Sequence, residues 1–305
     1  MTSEQGMPGH RRAPRTYLFV PGDAEDKLHK ALERGADALI VDLEDAVAAS
    51  SKERAREVTR RWLDGLPPVD QSPVEVWIRI NPGVQGHEDL AEILSPAIRG
   101  VCVAKTEDAG SLEDLDKILG AGEARLSLQP GSVSVQPQLE SARALVSVAA
   151  IAGAPRVSQL QIGEMDLLAD SGIEPSEDER ELLFARSLLV MASVAAGLPA
   201  PVGPVSIDFQ DVERFRHSSL ALRRMGFRSR ACIHPAQVVV AREVFTPSQD
   251  EIERAQAVVR AYDEALVRGV GVVTDTAGRM IDEAVVRTSR RLLALPDKLI
   301  PAGDG

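Results

Sequence analysis

The sequence Leu-Ile-Val-Asp-Leu-Glu-Asp-Ala-Val, residues 39–47, sets the interpretation of the whole chain. Its apolar run is typical of a buried strand, and the run stops at Asp42, which Glu44 and Asp45 follow closely. A carboxylate at a strand end costs free energy unless it is solvated, paired or close to a cation, so the stretch indicates a functional site. The alternative is a charged loop that opens the next helix, where acidic side chains complement the helix dipole.

Eight short apolar runs, this one included, alternate along the chain with segments of helical character. Parallel neighbouring strands need a crossover helix each time, so eight such units predict an α/β fold, a (β/α)8 TIM barrel, rather than a doubly wound sheet. The predicted strands are 17–20, 38–42, 74–80, 101–104, 132–139, 159–162, 202–207 and 231–234. The predicted helices are 23–34, 50–63, 87–97, 111–119, 141–152, 178–196, 212–225 and 236–245, with a turn at 163–166.

The predicted domain organisation has three parts: a disordered tail over 1–14, the barrel over 15–247 and a C-terminal helical lid extension over 248–305. The extension is predicted to hold a helix to residue 267, a glycine-rich loop over 269–278 and a helix over 280–293. Its glycines would let the loop close over the barrel mouth as a lid that excludes water. The alternative is a plain helical hairpin that packs on the barrel wall.

Composition excludes several classes of protein. A net charge of −11 and a pI near 5.1 argue against an electrostatic nucleic-acid binder, which needs a basic face. Cys102 and Cys232 each lie in an apolar run, so we expect free thiols rather than a disulfide framework. The absence of a long apolar run and the polar character of the first 14 residues predict neither a membrane span nor a signal peptide, and so a cytoplasmic protein.

Polar side chains gather where the predicted strands end. Active sites of TIM barrels lie at the carboxyl ends of the strands, so these residues are the candidates for function. They are Asp42, Glu44, Asp45, Arg79, Asn81, Lys105, Glu140, Glu164, Asp166, Asp208 and His234. A ring rich in carboxylates and poor in imidazole and thiol groups favours a hard cation such as Mg2+ over zinc.

Glu140 and Asp166 are the strongest candidates for metal ligands, because each follows the apolar residues of an adjacent strand. Either acid could instead cap a helix or form a salt bridge at the rim. Arg79 is placed to bind a substrate carboxylate through two parallel hydrogen bonds. The alternative is that it forms an ion pair with a neighbouring acid. His234, beside Pro235, fits a structural histidine as well as a ligand-binding one.

Several motifs in a fixed order resemble a known family, the HpcH/HpaI aldolase and citrate lyase β-subunit-like proteins. The resemblance runs from about residue 12 to residue 293. The motifs that carry it are Arg-Thr-Tyr-Leu-Phe-Val-Pro-Gly at 15–22, Lys30 with Ala31, the acids within 42–47, Arg79 with Asn81, Lys105, Glu140, 163–166, 233–237 and 278–282.

The resemblance implies an enzyme that makes or breaks a carbon–carbon bond between an acyl-CoA and a 2-oxo acid, as malyl-CoA, β-methylmalyl-CoA and citramalyl-CoA lyases do. It implies that Glu140 and Asp166 bind Mg2+, with Mn2+ as a second option, and that Arg79 binds the substrate carboxylate. It also implies that Asp282, in a mobile C-terminal region, is the catalytic acid or base, often in a neighbouring subunit's site. The family suggests a homotrimer or hexamer.

The remaining roles follow from the same resemblance. Phe19 and Lys30 match positions that contact CoA, and Ile233 and His234 lie in a motif assigned to substrate and CoA binding. The three acids that follow the second strand, Asp42, Glu44 and Asp45, would orient metal-bound waters or pair with basic residues rather than bind the metal.

Four features depart from the family pattern, and one of them is the motif around Glu140, which reads Gln-Leu-Glu-Ser at 138–141. Ala104 stands before Lys105 where proline is usual, Ala24 stands where some relatives have a CoA-contacting arginine, and Glu164 replaces a small residue beside Asp166. An added carboxylate there would change the charge of the pocket, so the sequence leaves the substrate open. Two other functions remain: a malyl-CoA thioesterase that uses the same site, and a non-catalytic CoA-binding or complex-forming subunit.

Overall fold

The computed structural model describes residues 13–275 and 277–294, and the chain forms two compact units. One unit spans 14–243, and the other includes the described residues from 244 onward. Of the predicted N-terminal tail, residues 1–12 lie outside the described residues, as do 295–305 of the predicted extension. No helix in the described part of the chain is long and apolar enough to cross a membrane.

The first unit is a closed barrel of eight parallel strands, which confirms the predicted (β/α)8 fold and excludes the doubly wound alternative. Each strand pairs with the next along the chain, and the eighth pairs with the first. The strands are β1 (Thr16–Pro21), β2 (Ala38–Asp42), β3 (Glu75–Ile80), β4 (Gly100–Val103), β5 (Ser134–Leu139), β6 (Gln161–Ile162), β7 (Val202–Gly203) and β8 (Ser229–Cys232).

Helices follow the strands as the alternation predicted. They are α1 (Glu25–Ala31), α2 (Lys52–Asp64), α3 (Gly83–Ile93), α4 (Ala109–Arg125), α5 (Ala142–Val146), α6 (Val148–Ala152), α7 (Glu164–Ser171), α8 (Leu183–Ala195), α9 (Val212–Met225) and α10 (Pro235–Phe245). The helix predicted over 212–225 has the same bounds as α9. The helix predicted over 141–152 is instead two short helices that meet at Ser147.

The predicted turn over 163–166 is wrong, because helix α7 begins there. Gly163 is its N-cap residue, and Glu164 and Asp166 occupy its first turn, where acids complement the partial positive charge of the helix end. The helix predicted over 178–196 also begins later, at Leu183, because Glu179 has a left-handed backbone with φ of 54° and a short 3-10 turn follows it. Strand β8 ends at Cys232, two residues earlier than predicted.

Strand register determines which side chains enter the barrel. Ala38 and Ile40 of β2 lie in the buried interior cluster with Trp77 of β3. Alternate residues of a strand share a face, so Asp42 also points inward at the carboxyl end of β2. Asp42 pairs in register with Arg79 of β3, which places an acid and a base side by side at the barrel mouth.

The described residues of the second unit form two helices and a small hairpin: α11 (Gln249–Val267), β9 (Val273–Thr274), β10 (Met280–Ile281) and α12 (Glu283–Leu293). A capping box of Ser248 and Glu251 begins α11, and Tyr262, Ile281 and Val286 form a small apolar core. The predicted glycine-rich loop therefore contains a strand. The last helix begins at residue 283 instead of 280, because β10 pairs with β9.

Candidate active site

A cavity of about 420 Å3 opens at the carboxyl ends of the barrel strands. Its lining combines acidic, basic and amide side chains with an equal number of apolar ones, so it is more polar than most ligand pockets. The lining residues used below are Phe19, Lys27, Asp42, Asp45, Arg79, Gln138, Gln161, Gly163, Glu164, Asp166 and Ile233.

Arg79 and Asp42 form a buried, two-pronged ion pair at the edge of this cavity. Arg79 Nε donates to Asp42 Oδ1 at 2.7 Å and Nη2 donates to Oδ2 at 2.5 Å. The third nitrogen, Nη1, lies 3.2 Å from Glu44 Oε2, and the guanidinium stacks over the Phe19 ring at 5.0 Å from its centroid. These contacts fix the plane of the guanidinium.

Lys105 connects this ion pair to Glu140. Its ammonium group contacts Glu44 Oε1 and lies 3.4 Å from Asp45 Oδ1, while its backbone N–H donates to Glu140 Oε1 at 2.5 Å. Lys105 has a left-handed backbone with φ of 52°, which turns the N–H toward Glu140. Such a conformation in a non-glycine residue costs free energy and points to a constrained site.

Asp166 lines the cavity, and Glu140 lies close enough for the charge of Asp166 to act on it. Glu140 is 3% exposed, and Gln138 Nε2 donates to its Oε2 at 2.7 Å. Gly163 packs so closely that a Cβ atom there would lie 2.7 Å from Glu140 Cβ. Burial, together with the charges of Asp166 and Glu44, raises the pKa of Glu140 to about 7, although the hydrogen bond from the Lys105 backbone acts to lower it. Repulsion between carboxylates is what a bound cation would relieve.

Two amide oxygens near Glu140 have no hydrogen-bond partner among the described residues. They are Gln138 Oε1 and Gln161 Oε1, and both side chains line the cavity although the two residues are only 5% and 2% exposed. A buried acceptor without a donor is costly, so these oxygens suit a ligand or water that brings a hydrogen-bond donor.

Glu164 lines the cavity and forms an ion pair with Arg186 of α8. Both of its carboxylate oxygens accept hydrogen bonds from Arg186, at 2.6 and 2.7 Å, and Arg186 Nη2 also donates to Glu179 Oε2 at 2.7 Å. Glu164 therefore shares the positive charge of Arg186 with Glu179, and the expectation that Glu164 changes the charge of the pocket stays a prediction.

A second cavity, of about 460 Å3, shares the Phe19 wall with the first. Three basic residues of α1 and the loop after it, Lys27, Lys30 and Arg34, line this cavity, together with apolar side chains. His234 lies on its edge, where its ring stacks on Phe209 with centroids 5.0 Å apart.

Asp282 belongs to the second unit, where it caps helix α12. Its Oδ1 accepts a hydrogen bond from the backbone N–H of Val285 at 3.0 Å. The side chain thus has a structural role in its own unit, and its predicted role as acid or base stays a prediction.

Comparison with known proteins identifies the family. A family model described as HpcH/HpaI aldolase/citrate lyase matches residues 15–235. The chain belongs to that family. The match covers the barrel described above, including every residue of both cavities.

Curated relatives of this chain include proteins named as lyase subunits and proteins named as thioesterases. The chain is 30% identical to a citrate lyase subunit beta of Leuconostoc mesenteroides subsp. cremoris, over 94% of each chain. It is 32% identical to a (3S)-malyl-CoA thioesterase of Cereibacter sphaeroides, over 93% of this chain and 95% of that protein. The family is therefore one of citrate lyase β-like CoA-ester lyases in which some members are thioesterases.

Solved structures of the family show the same fold. The Mycobacterium tuberculosis protein CitE, in complex with magnesium, acetoacetate and coenzyme A, matches with a TM-score of 0.75 and 26% identity over 92% of this chain and 97% of that one. A citrate lyase beta subunit from the same organism, complexed with oxaloacetate and magnesium, matches with a TM-score of 0.64 and 28% identity, over 77% and 98% of the two chains.

The structure brings most of the predicted residues together in the barrel unit. Arg79, Asp42, Glu44, Asp45, Glu140 and Asp166 lie in or beside the first cavity, Lys30 and His234 line the second, and Phe19 and Ile233 line both. Within the described residues, no group of three or more His, Cys, Asp or Glu side chains could hold a metal. The metal-binding role of Glu140 and Asp166 stays a prediction.

The sequence analysis did not identify several residues of the candidate site. Lys27 and Arg34 flank Lys30 at spacings of three and four, a helical pattern that could have been seen. The glutamines of β5 and β6, Gln138 and Gln161, belong to alternating positions that a strand pattern predicts to point inward. Arg186 lies in a strongly apolar helix and gave no comparable signal.

The pKa of Glu140 predicts how stability depends on pH without metal. The fold keeps a proton on Glu140 up to about pH 7, whereas the unfolded chain loses it near pH 4.5. The folded state therefore binds more protons in this window, and the contribution of Glu140 to the free energy of unfolding falls by about 1.4 kcal/mol for each pH unit on going up.

We expect the urea midpoint of the wild type in EDTA to fall more steeply between pH 5 and pH 7 than that of Glu140→Gln, whose amide does not titrate. Parallel pH profiles of the two proteins would show that Glu140 titrates normally.

Proposed function

We propose that the protein is a Mg2+-dependent CoA-ester lyase that cleaves or forms the carbon–carbon bond of a 3-hydroxyacyl-CoA, giving a 2-oxo acid and an acyl-CoA. The observation that supports this most directly is that two neighbouring cavities share a wall that includes Phe19. Asp166 and Arg79 line one cavity, with Glu140 beside them, and the other cavity has a basic edge. A small acid and a long phosphate-bearing chain would fit these two environments.

The residues of the first cavity fit a hard cation. Glu140 and Asp166 would hold Mg2+, or Mn2+, through carboxylate oxygens, and a site with two acids leaves the remaining positions to water and substrate. The unpartnered oxygens of Gln138 and Gln161 fit acceptors for metal-bound waters. When bound, the ion would polarise the oxo group of the 2-oxo acid and balance the negative charge that develops on its oxygen.

Arg79 is suited to bind the carboxylate of the 2-oxo acid. Asp42 occupies the Nε–Nη2 edge of its guanidinium, so a ligand would approach the Nη1–Nη2 end, next to Glu44. Because Asp42 and the Phe19 ring hold the plane of the guanidinium, little side-chain freedom is lost when the ligand binds.

The basic edge of the second cavity is suited to the phosphates of CoA. Lys27, Lys30 and Arg34 are exposed there, and the adjacent apolar wall of Leu18 and Val20 would contact the less polar part of the same ligand. This arrangement provides the contacts that Ala24, in place of an arginine, does not.

In the cleavage direction, Asp282 would take the proton from the 3-hydroxyl group, in its own subunit or in a neighbouring one of a homotrimer or hexamer. The electrons of the O–H bond form the oxo group, the carbon–carbon bond breaks, and its electrons pass into the enolate of the thioester. The proton returned to the enolate carbon completes the acyl-CoA. Condensation is the reverse of these steps.

A malyl-CoA thioesterase is the second candidate, and the 32% identity to proteins of that name favours it. Hydrolysis would use the same two cavities, but water would attack the thioester carbonyl. The products distinguish the two functions, because a lyase keeps the thioester intact whereas a thioesterase releases free thiol.

The deciding experiment is to incubate the full chain and Mg2+ with malyl-CoA, β-methylmalyl-CoA and citramalyl-CoA, and to identify the products by mass. A lyase gives glyoxylate or pyruvate with an equal amount of acyl-CoA, and EDTA stops the reaction. Malate with an equal amount of free CoA would establish the thioesterase instead. Binding of CoA without any product would leave a non-catalytic subunit as the function.

Removing two positive charges tests the CoA cavity. The double variant Lys27→Ala/Lys30→Ala loses two ion pairs with phosphate, each worth up to about 1 kcal/mol at an exposed site. We expect the KM for the CoA ester to rise about 3- to 30-fold with kcat within about twofold, measured in steady-state kinetics. Lys117→Ala, an exposed lysine of α4, is the control. An unchanged KM would remove these lysines from the CoA site.

Asp282→Asn separates the chemical role of Asp282 from its structural one. Asparagine caps a helix about as well as aspartate but cannot act as a base, so we expect kcat to fall about 100- to 10,000-fold with little change in Tm. Asp263→Asn, at an exposed acid of α11 paired with Arg290, is the control. Full activity of Asp282→Asn would exclude it as the acid or base. If it serves a neighbour's site, mixed oligomers of Asp282→Asn and Glu140→Gln will regain activity.

A further inference from the structure

Arg186 joins three segments of the chain behind the candidate metal ligands. It lies on α8, is 4% exposed, and donates from Nε and Nη2 to both oxygens of Glu164. Its Nη2 also donates to Glu179, in the loop between α7 and α8. Removing one member of such a buried set leaves an unbalanced charge, so its geometry is strongly held.

Glu164 and Asp166 share the first turn of α7. Glu164 is the first helical residue, Asp166 is the third, and Gly163 before them packs against the side chain of Glu140. A rotation or shift of this turn would move Asp166 relative to Glu140, because the two acids belong to different elements. The two hydrogen bonds from Arg186 resist that motion at the residue next to the Gly163 contact.

Glu179 extends the same restraint to the loop over 172–182. Its backbone is left-handed, with φ of 54°, a conformation that needs other contacts to hold it. The loop is further fixed by Ser176 with Glu181 and by Asp178 with Arg180, so Arg186 ties the start of α7 to an ordered segment.

We propose that Arg186 is a positioning residue for Asp166: through Glu164 and Glu179 it fixes the first turn of α7 and so sets the distance between the two metal-binding acids. This inference rests on the proposed function, which assigns Asp166 and Glu140 to a divalent cation. Arg186 itself touches neither the metal nor the substrate in this account.

The test measures the Kd of Mn2+ alone by electron paramagnetic resonance in the wild type, Arg186→Met and Arg156→Met. Arg156 is the matched control, because its side chain is only 10% exposed and it also pairs with two acids, Glu123 and Asp116, but beside Val133 at the amino end of β5. We expect both variants to lower Tm, and only Arg186→Met to raise the Kd, by about tenfold or more. Arg186→Lys keeps the positive charge but lacks the planar guanidinium, so its Kd for Mn2+ should lie between those of the wild type and Arg186→Met.

The direction in which the Kd of Mn2+ changes in Arg186→Met decides whether the proposal holds. If Arg186 only balanced the charge of Glu164, its loss would leave a more negative pocket and Mn2+ would bind more tightly; tighter or unchanged binding in Arg186→Met therefore overturns the proposal. If Arg186→Met does not fold, an unchanged Kd in Arg186→Lys has the same meaning. A wild type that binds no Mn2+ would instead overturn the proposed function.

Discussion

The buried ion pair between Arg79 and Asp42 is the constraint on which the rest of the candidate site depends. Register places the two residues on neighbouring strands at the same height, and both point into the barrel mouth. Loss of either partner would leave a buried charge, which typically costs 3–5 kcal/mol in proteins, or about a third of the stability of an average domain. A chain of contacts leads from this pair across the barrel mouth, from β2 to β5. Arg79 contacts Glu44, Glu44 contacts Lys105, and the backbone N–H of Lys105 donates to Glu140.

Much of the fold could be predicted from the sequence because eight strand–helix alternations leave little choice of architecture. The rim acids were also predictable, since the carboxyl ends of parallel strands meet at one barrel face. The pairing of Arg79 with Asp42 could not be predicted, because it depends on strand register; binding to a substrate and pairing with a neighbouring acid were both open. The start of α7 was missed because Glu164 to Asp166 looks like a polar turn until Gly163 is seen to cap a helix.

Two glutamates at the same rim show how surroundings assign different properties to the same side chain. Glu140 is buried beside other acids, receives hydrogen bonds from an amide group and a backbone N–H, and has a pKa of about 7. Glu164 is equally close to the strand ends but has an arginine on both oxygens. From sequence position alone, Glu140 and Glu164 are equal candidates to bind a cation. The structure distinguishes them, because only Glu164 has an arginine as a counter-charge on both oxygens.

The wall shared by the two cavities has a thermodynamic consequence. Phe19, Val20, Pro21, Lys27 and Ile233 line both spaces, so a ligand in one cavity changes the packing and solvation of atoms that form the other. If the protein binds a 2-oxo acid and a CoA ester as proposed, this wall would link the two affinities, and by reciprocity each ligand would change the binding of the other by the same factor. Affinities measured for two fragments of a substrate would not add up to that of the intact molecule, and the difference would report the contribution of this wall.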